Sequence, residues 1–179
     1  MGRHAGEQRQ RFLANIEAGA TRMERLVARL LQLARIQHVR ESSETVVVRD
    51  FFADLRPRYG DQVRFDVAAD APRAIAIPPD HLDAALHNVI DNAVRHGGGA
   101  AVEVAVGAAA GRLCVRVRDH GPGISPDNRA RLFERFFTTE RDRGGTGLGL
   151  AIVRAVAEAR GGRVDVDSGP GGMTFTLLS

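Results

Sequence analysis

Apolar side chains recur first at helical spacing. From Phe12, the positions Ile16, Gly19, Met23, Leu26, Leu30, Leu33 and Gln37 step alternately by four and three residues. That is a heptad seam, and Leu13, Ala20, Val27, Leu31 and Ala34 widen it. A stripe this wide on a helix this long needs partner helices. The helix precedes the rest of the chain and looks separable from it. An intermolecular bundle through residues 10–38, a homodimer, is therefore expected ahead of packing on its own domain. Residues 1–9 are polar and expected to be a loose, tag-like start.

After a polar break at residues 41–44 the period shortens. Residues 45–49 read as a strand, and 50–59 as a short helix capped by Asp50. Residues 63–67 alternate as a strand, and 74–77 form another that Pro78 and Pro79 stop. Residues 80–96 place Leu82, Leu86, Val89, Ile90 and Ala93 on one helical face, before a run of glycines. Residues 102–106 and 113–117 alternate as a hairpin about 109–111. A short helix falls within 126–136, a polar and mobile loop spans 137–145, and a helix covers 148–159. Strands at 164–167 and 173–178 complete the chain. Helices segregated from strands that pair mostly with neighbours predict an α+β sandwich with helices on one face. Three segments result: 1–9, a long helix over 10–40, and a compact domain over 45–179.

Composition narrows the field. The net charge is +3, although the sequence pI is near 10.2. All 25 basic residues are Arg, which keeps its proton to very high pH, so the pI overstates the charge at pH 7. There is no basic stripe with interleaved aromatics and no Trp, so nucleic acid is not an expected partner. The lone Cys114 sits in an alternating run and is expected to be a buried small apolar residue. One Cys permits no internal disulfide, which fits a reducing, cytoplasmic setting. No apolar run approaches the length of a membrane span, although a longer parent could carry one upstream and be anchored in an inner membrane.

Three short motifs carry chemistry. In HNVIDNAVRH, Asn88 and Asn92 share a helix face, and Asn92 offers a neutral oxygen suited to Mg²⁺ held mostly by phosphates and water. Arg95 and His96 follow, within reach of phosphate or ribose. In DHGPGI, Asp119 ends a strand before Gly121 and Gly123. A carboxylate there accepts a hydrogen bond from an exocyclic amine, and the glycines let a flat base approach the backbone near Ile124. In GGTGLGL, Gly145, Gly147 and Gly149 permit close approach to phosphate oxygens, and Thr146 adds a hydroxyl. The helix opening near Leu148 then adds its amides and dipole. No Lys follows these glycines, so the loop is not a Walker A motif, and a preceding polar loop excludes the dinucleotide fingerprint. Each motif alone has a bland reading as a helix end, a strand turn or a cap. Together and in this order they describe a nucleotide pocket. Phe136, in LFERFF, is expected to belong to an apolar latch on the loop, and Thr174, in GPGGMTF, to reach the adenine edge beside Asp119.

These residues resemble the motif set of bacterial sensor histidine kinases. HNVIDNAVRH resembles the N box, DHGPGI the G1 box, LFERFF the F box, GGTGLGL the G2 box and GPGGMTF the G3 turn. The helix over 10–37 resembles the second helix of a dimerisation and phosphotransfer hairpin. The resemblance implies a two-layer sandwich of a mixed five-stranded sheet and three helices, the fold shared with gyrase- and chaperone-type ATPases. It implies ATP and Mg²⁺ as ligands, with Mg²⁺ at Asn92, adenine at Asp119 and lid glycines over the phosphates. Arg95 matches a basic position, usually Lys, and His96 a position that is often aromatic. It also implies a response regulator receiver domain as partner. The family's acceptor His-Glu-x-Arg-x-Pro has no counterpart in this sequence: His4, His38, His81, His87 and His120 all lack that context. The expected activity is therefore that of a kinase catalytic module acting on a histidine outside this chain.

Three alternatives remain open at this point. An ATP hydrolase of the gyrase, mismatch-repair or chaperone type would place a Glu one turn before the Mg²⁺ ligand, where this chain has Asn88, a poor base. A serine kinase acting on a regulatory protein fits the long heptad helix and the full F box less well than a histidine kinase does. A non-catalytic dimerising scaffold would carry a degenerate pocket.

Overall fold

Two rows of apolar side chains cross one face of a five-stranded sheet. Phe65, Val104, Val117, Phe175 and Val166 are neighbours in one row, and Val67, Val106, Val115, Leu177 and Val164 in the next. This computed structural model describes residues 2–38, 44–140 and 145–179, apart from the side chains of 2–11 and 15. The strands are β2 (Val63–Val67), β4 (Val102–Ala109), β5 (Arg112–Arg118), β6 (Arg163–Gly169) and β7 (Gly172–Leu178), in the order β2-β4-β5-β7-β6. β2 and β4 run parallel and the other pairs antiparallel, so the sheet is mixed. Its far face carries Glu103, Arg118, Thr174 and Asp167 side by side. One face is apolar and the other polar, so helices cover only the apolar face.

That cover consists of α2 (Val48–Leu55), α3 (Pro79–His96) and α5 (Gly149–Ala159). α3 buries Leu82, Leu86, Val89, Ile90 and Ala93, the face its period predicts. α5 buries Ile152, Val153 and Val156 against the same core. The short α4 (Pro126–Arg131) is capped by Ser125, whose hydroxyl accepts from the Asn128 amide. A small second sheet pairs β1 (Thr45–Val47) with β3 (Ala74–Ala76).

Local chemistry explains where expectation and structure part. α2 begins at Val48 rather than Asp50, and no side chain caps it. Val48 is fully buried and turns the chain into the core, while Asp50 lies within the first turn. The helix ends at Leu55: Arg56 still has helical geometry, but Pro57 has no N–H to continue the helical hydrogen bonds, and two 3-10 turns follow. α3 starts one residue earlier than expected, with Pro79 at its first position, where a missing N–H costs nothing. Ala110 and Gly111 both have positive φ, the signature of a tight type I′ hairpin turn between β4 and β5.

The long helix α1 spans Gly2–His38, so the residues expected to be loose at its start are helical from Gly2. Its apolar stripe divides. Leu33 and Ile36 are buried in the core shared with the rest of the domain, beside α5. Phe12, Leu13, Ile16, Met23, Val27, Leu30 and Leu31 remain exposed. The heptad pattern thus records intramolecular packing near the helix C-terminus and an uncovered apolar face along its length. No helix among the described residues is long and apolar enough to cross a membrane. Cys114 is buried and free, as its alternating run predicts.

Candidate functional site: a nucleotide pocket between α3, α5 and the loops

The pocket forms where α3, the turn after β5 and the start of α5 converge. Its walls include Asn88, Asn92, Arg95, His96, Asp119, Gly123, Ile124, Gly145, Thr146, Gly147 and Gly149. Eleven of the fifteen residues singled out in the sequence are therefore brought together.

Asp119 is the organising residue. It is only 1% exposed, the one buried charged side chain among the described residues. Its backbone amide donates to the Met173 carbonyl at 2.9 Å, which fixes the end of β5 to β7. Oδ1 accepts from the Gly121 amide at 2.9 Å and the Met173 amide at 3.1 Å. Oδ2 is equally buried and has no partner. A buried carboxylate oxygen left unpaired is costly, so its natural partner is a donor on something that enters the pocket. Gly121 does not line the wall, but it builds it: a Cβ there would collide with the His96 carbonyl oxygen, so only glycine lets this turn seat against the end of α3.

Asn88 is held by its own helix. Its Nδ2 donates to the Ala84 carbonyl at 2.8 Å, which directs Oδ1 towards Gly149. A Cβ on Gly149 would sit 2.8 Å from that oxygen. Glycine at the first position of α5 thus keeps the passage between the two helices open. Asn92 follows one turn on, half-buried on the same wall. Leu148, in contrast, is fully buried and anchors the loop from behind rather than lining the pocket.

The loop is held by backbone rather than by an apolar latch. Phe136 has positive φ, its amide donates to the Gly147 carbonyl at 2.9 Å, and its ring is half exposed. Phe137 lines the pocket instead. Gly147 also has positive φ, and its α-carbon lies so close to the Phe136 backbone that a Cβ would overlap it. Residues 141–144, part of the segment expected to be mobile, lie outside the described residues. Thr174 stands on the outer face of β7, in register with Arg118 and Asp167, while its neighbour Met173 lines the pocket.

Two contributors were not anticipated. Glu140, with a side chain 16% exposed, places Oε2 3.9 Å from Arg95 and 3.7 Å from Nε2 of His96. Arg29, on α1, reaches across to donate from Nη1 to the Thr146 hydroxyl at 3.0 Å. Burial, and then the charge of Arg95, hold the Arg29 guanidinium below its ordinary pKa, against the opposing pull of Asp91. No local pattern could announce Arg29, because its partner lies more than a hundred residues away. No cluster of acidic, His or Cys side chains able to hold a metal alone occurs among the described residues. An ion here would draw on neutral donors such as Asn92 and on the ligand itself.

The comparisons agree with this geometry. Residues 77–179 match the family model described as histidine kinase-, DNA gyrase B- and HSP90-like ATPase. The sensor-like histidine kinase SenX3 of Mycolicibacterium smegmatis is 32% identical over 94% of this chain and 47% of its own length. The sensor histidine kinase CpxA of Escherichia coli is 29% identical over 98% of this chain and 40% of its own. The chain thus spans less than half the length of these relatives. Among solved structures, full-length ShkA in complex with AMPPNP superposes with a TM-score of 0.73 at 32% identity, over 97% of this chain and 38% of that one. The mycobacterial sensor histidine kinase MprB superposes with a TM-score of 0.60 at 32% identity, over 76% of this chain and 97% of that one. With more than half of its length matched by that family model, the chain belongs to the histidine kinase-, DNA gyrase B- and HSP90-like ATPase family, as an ATP-binding domain of the bacterial sensor histidine kinase type.

Proposed function

We propose that this domain binds ATP with Mg²⁺ and presents the γ-phosphoryl group to a histidine on a separate helix, for onward transfer to an aspartate of a response regulator receiver domain. The observation that carries the reading is the buried, unpartnered Oδ2 of Asp119. An adenine amine is a neutral donor of the right kind for it, and a guanine carbonyl at the same place would set acceptor against acceptor. The AMPPNP held by the similar ShkA structure supports the same assignment.

On this reading Asp119 and Ile124 hold the base, and Asn92 supplies a neutral oxygen to Mg²⁺. When bound, that ion neutralises phosphate charge. Arg95 and the amides around Gly145 and Gly147 bind the phosphates, with His96 beside them. Positioning and charge neutralisation make up most of phosphoryl transfer, so these residues need supply no general base. Asn88 fits that role. Its amide is held by the Ala84 carbonyl and cannot activate water, which favours transfer to a protein acceptor over hydrolysis. The acceptor histidine belongs to a segment other than this one, and α1 joins the domain to a dimeric, cytoplasmic assembly through its exposed apolar face.

A calorimetric titration with a non-hydrolysable ATP analogue, with and without Mg²⁺, tests the reading. The wild-type chain should bind more tightly with Mg²⁺, and Asp119→Asn should lose at least about tenfold in affinity. Wild-type chain that binds no adenine nucleotide sinks the proposal. Rapid multiple-turnover hydrolysis of ATP by the chain alone would replace it with the hydrolase reading.

A further inference from the structure

Arg29 belongs to the long helix, yet its guanidinium lies inside the pocket of the neighbouring domain. It is half-buried on the wall next to Asn88 and Arg95, and Nη1 comes within 3.5 Å of a Cβ position on Gly149. Its guanidinium donates to a neutral hydroxyl, that of Thr146. A guanidinium offers five donors in a fixed fork, and it matches a phosphate far better than a lone hydroxyl. It also stands close enough to Arg95 for the two like charges to oppose each other, an arrangement that an anion between them would reverse.

We propose that Arg29 is a phosphate-contacting residue of this site, supplied by the long helix to the triphosphate end of the nucleotide. The inference rests on the nucleotide reading above. It goes further in making the pocket a composite of two structural units. Binding then has a mechanical consequence. An anion that draws Arg29 towards the loop also draws the C-terminal half of α1 onto α5, where Leu33 and Ile36 already pack. By linkage, nucleotide tightens the helix on the domain, and release of the helix weakens the hold on phosphate by the same factor. The helix position and the phosphate occupancy of the site are therefore coupled through one side chain.

The test compares ligands that differ only in phosphate. The 179-residue chain and its Arg29→Ala, Arg29→Gln and Arg29→Lys variants are titrated with adenosine and with a non-hydrolysable ATP analogue plus Mg²⁺. Arg29→Ala and Arg29→Gln should lose about tenfold or more in affinity for the triphosphate while keeping wild-type affinity for adenosine, and Arg29→Lys should recover part of the loss. Adenosine binding doubles as the check that each variant is folded, and the near-isosteric Gln and Lys variants decide the matter if the Ala variant is not. Hydrogen exchange gives a second readout: the triphosphate should slow exchange in residues 26–36 of the wild-type chain more than adenosine does, and should not in Arg29→Gln. Equal losses for both ligands would make Arg29 a structural residue, and unchanged triphosphate affinity would remove it from the site; either overturns the inference alone. Wild-type chain that binds neither ligand would overturn the nucleotide reading with it.

Discussion

The hydroxyl of Tyr59 lies 3.2 Å from Nδ1 of His87, whose Nε2 lies 3.2 Å from an Asp91 carboxylate oxygen. This small polar chain sits on the outer side of α3, with Asp91 shared between it and the nucleotide pocket. Burial first, and then the negative charges of Asp91 and Asp83, push the Tyr59 phenol up to about 12. A phenol whose folded pKa is raised stabilises the fold in its protonated form. That contribution is complete below the unfolded value near 10 and is lost as pH rises through about 12. Tyr59 is the only Tyr and the chain has no Trp, so absorbance near 295 nm reports this one group. Ionisation should be centred near 12 in native protein and about 10 in denaturant. Coincident curves would mean that the phenol is fully solvated.

Asn92 lines the pocket but makes no contribution to the core. Asn92→Ala should therefore leave thermal stability within about 0.5 kcal/mol of wild type. If its oxygen is the ligand to Mg²⁺, the variant should still bind the ATP analogue without Mg²⁺ as wild type does, and lose the gain that Mg²⁺ brings. Calorimetry in the presence and absence of the ion separates the two effects. An intact Mg²⁺ gain in the variant would assign the ion to other donors.

How much of this was legible in the sequence follows the range over which each signal acts. The alternation of Val63 to Val67 gave β2 at its observed bounds, and the apolar face of α3 was read residue by residue. Pairing of the two three-residue strands β1 and β3 was not legible, because neither carries enough residues to show a period. Val48 continues an apolar run that reads as strand, and only its burial shows that the chain turns into a helix there. Thr174 shows how fine the margin is. A strand changes face at every residue, so placing the pocket at Thr174 rather than Met173 moved the prediction to the opposite side of the sheet. The motifs marked the pocket well because each is local. Arg29 is tertiary, and a position on a heptad helix gives no hint that its side chain enters a pocket in another unit.

Gly147 couples the loop to the start of α5. It has positive φ, and its carbonyl accepts from the amide of Phe136, which has positive φ as well. Gly147→Ala places a Cβ against the Phe136 backbone, and the left-handed conformation itself costs about 1–2 kcal/mol for a residue with a side chain. The core beneath is unaffected, because Leu148 and Ile152 hold α5 in place. The expected result is a folded variant with at least about tenfold weaker binding of the ATP analogue. Calorimetry and thermal melting together check this. A variant with wild-type affinity would show that nucleotide binds with the loop in another conformation.

Leu30 and Leu33 occupy neighbouring turns of α1 and answer to different partners. Leu33 is 3% exposed in the domain core, whereas Leu30 is 39% exposed, on the side that carries Met23, Val27 and Leu31. If the exposed face is a dimer seam, Leu30→Asp should shift the sedimentation profile from dimer towards monomer. It should leave the melting of the domain nearly unchanged, because a surface substitution away from the core costs within about 0.5 kcal/mol. Leu33→Ala should do the reverse. It removes buried methyl groups beside α5 and should destabilise the domain by about 2–5 kcal/mol, at an oligomeric state like that of wild type. The pair separates the two functions written into one heptad pattern. A wild-type chain that sediments as a monomer, with Leu30→Asp indistinguishable from it, would show that the exposed face is not a seam in this chain on its own.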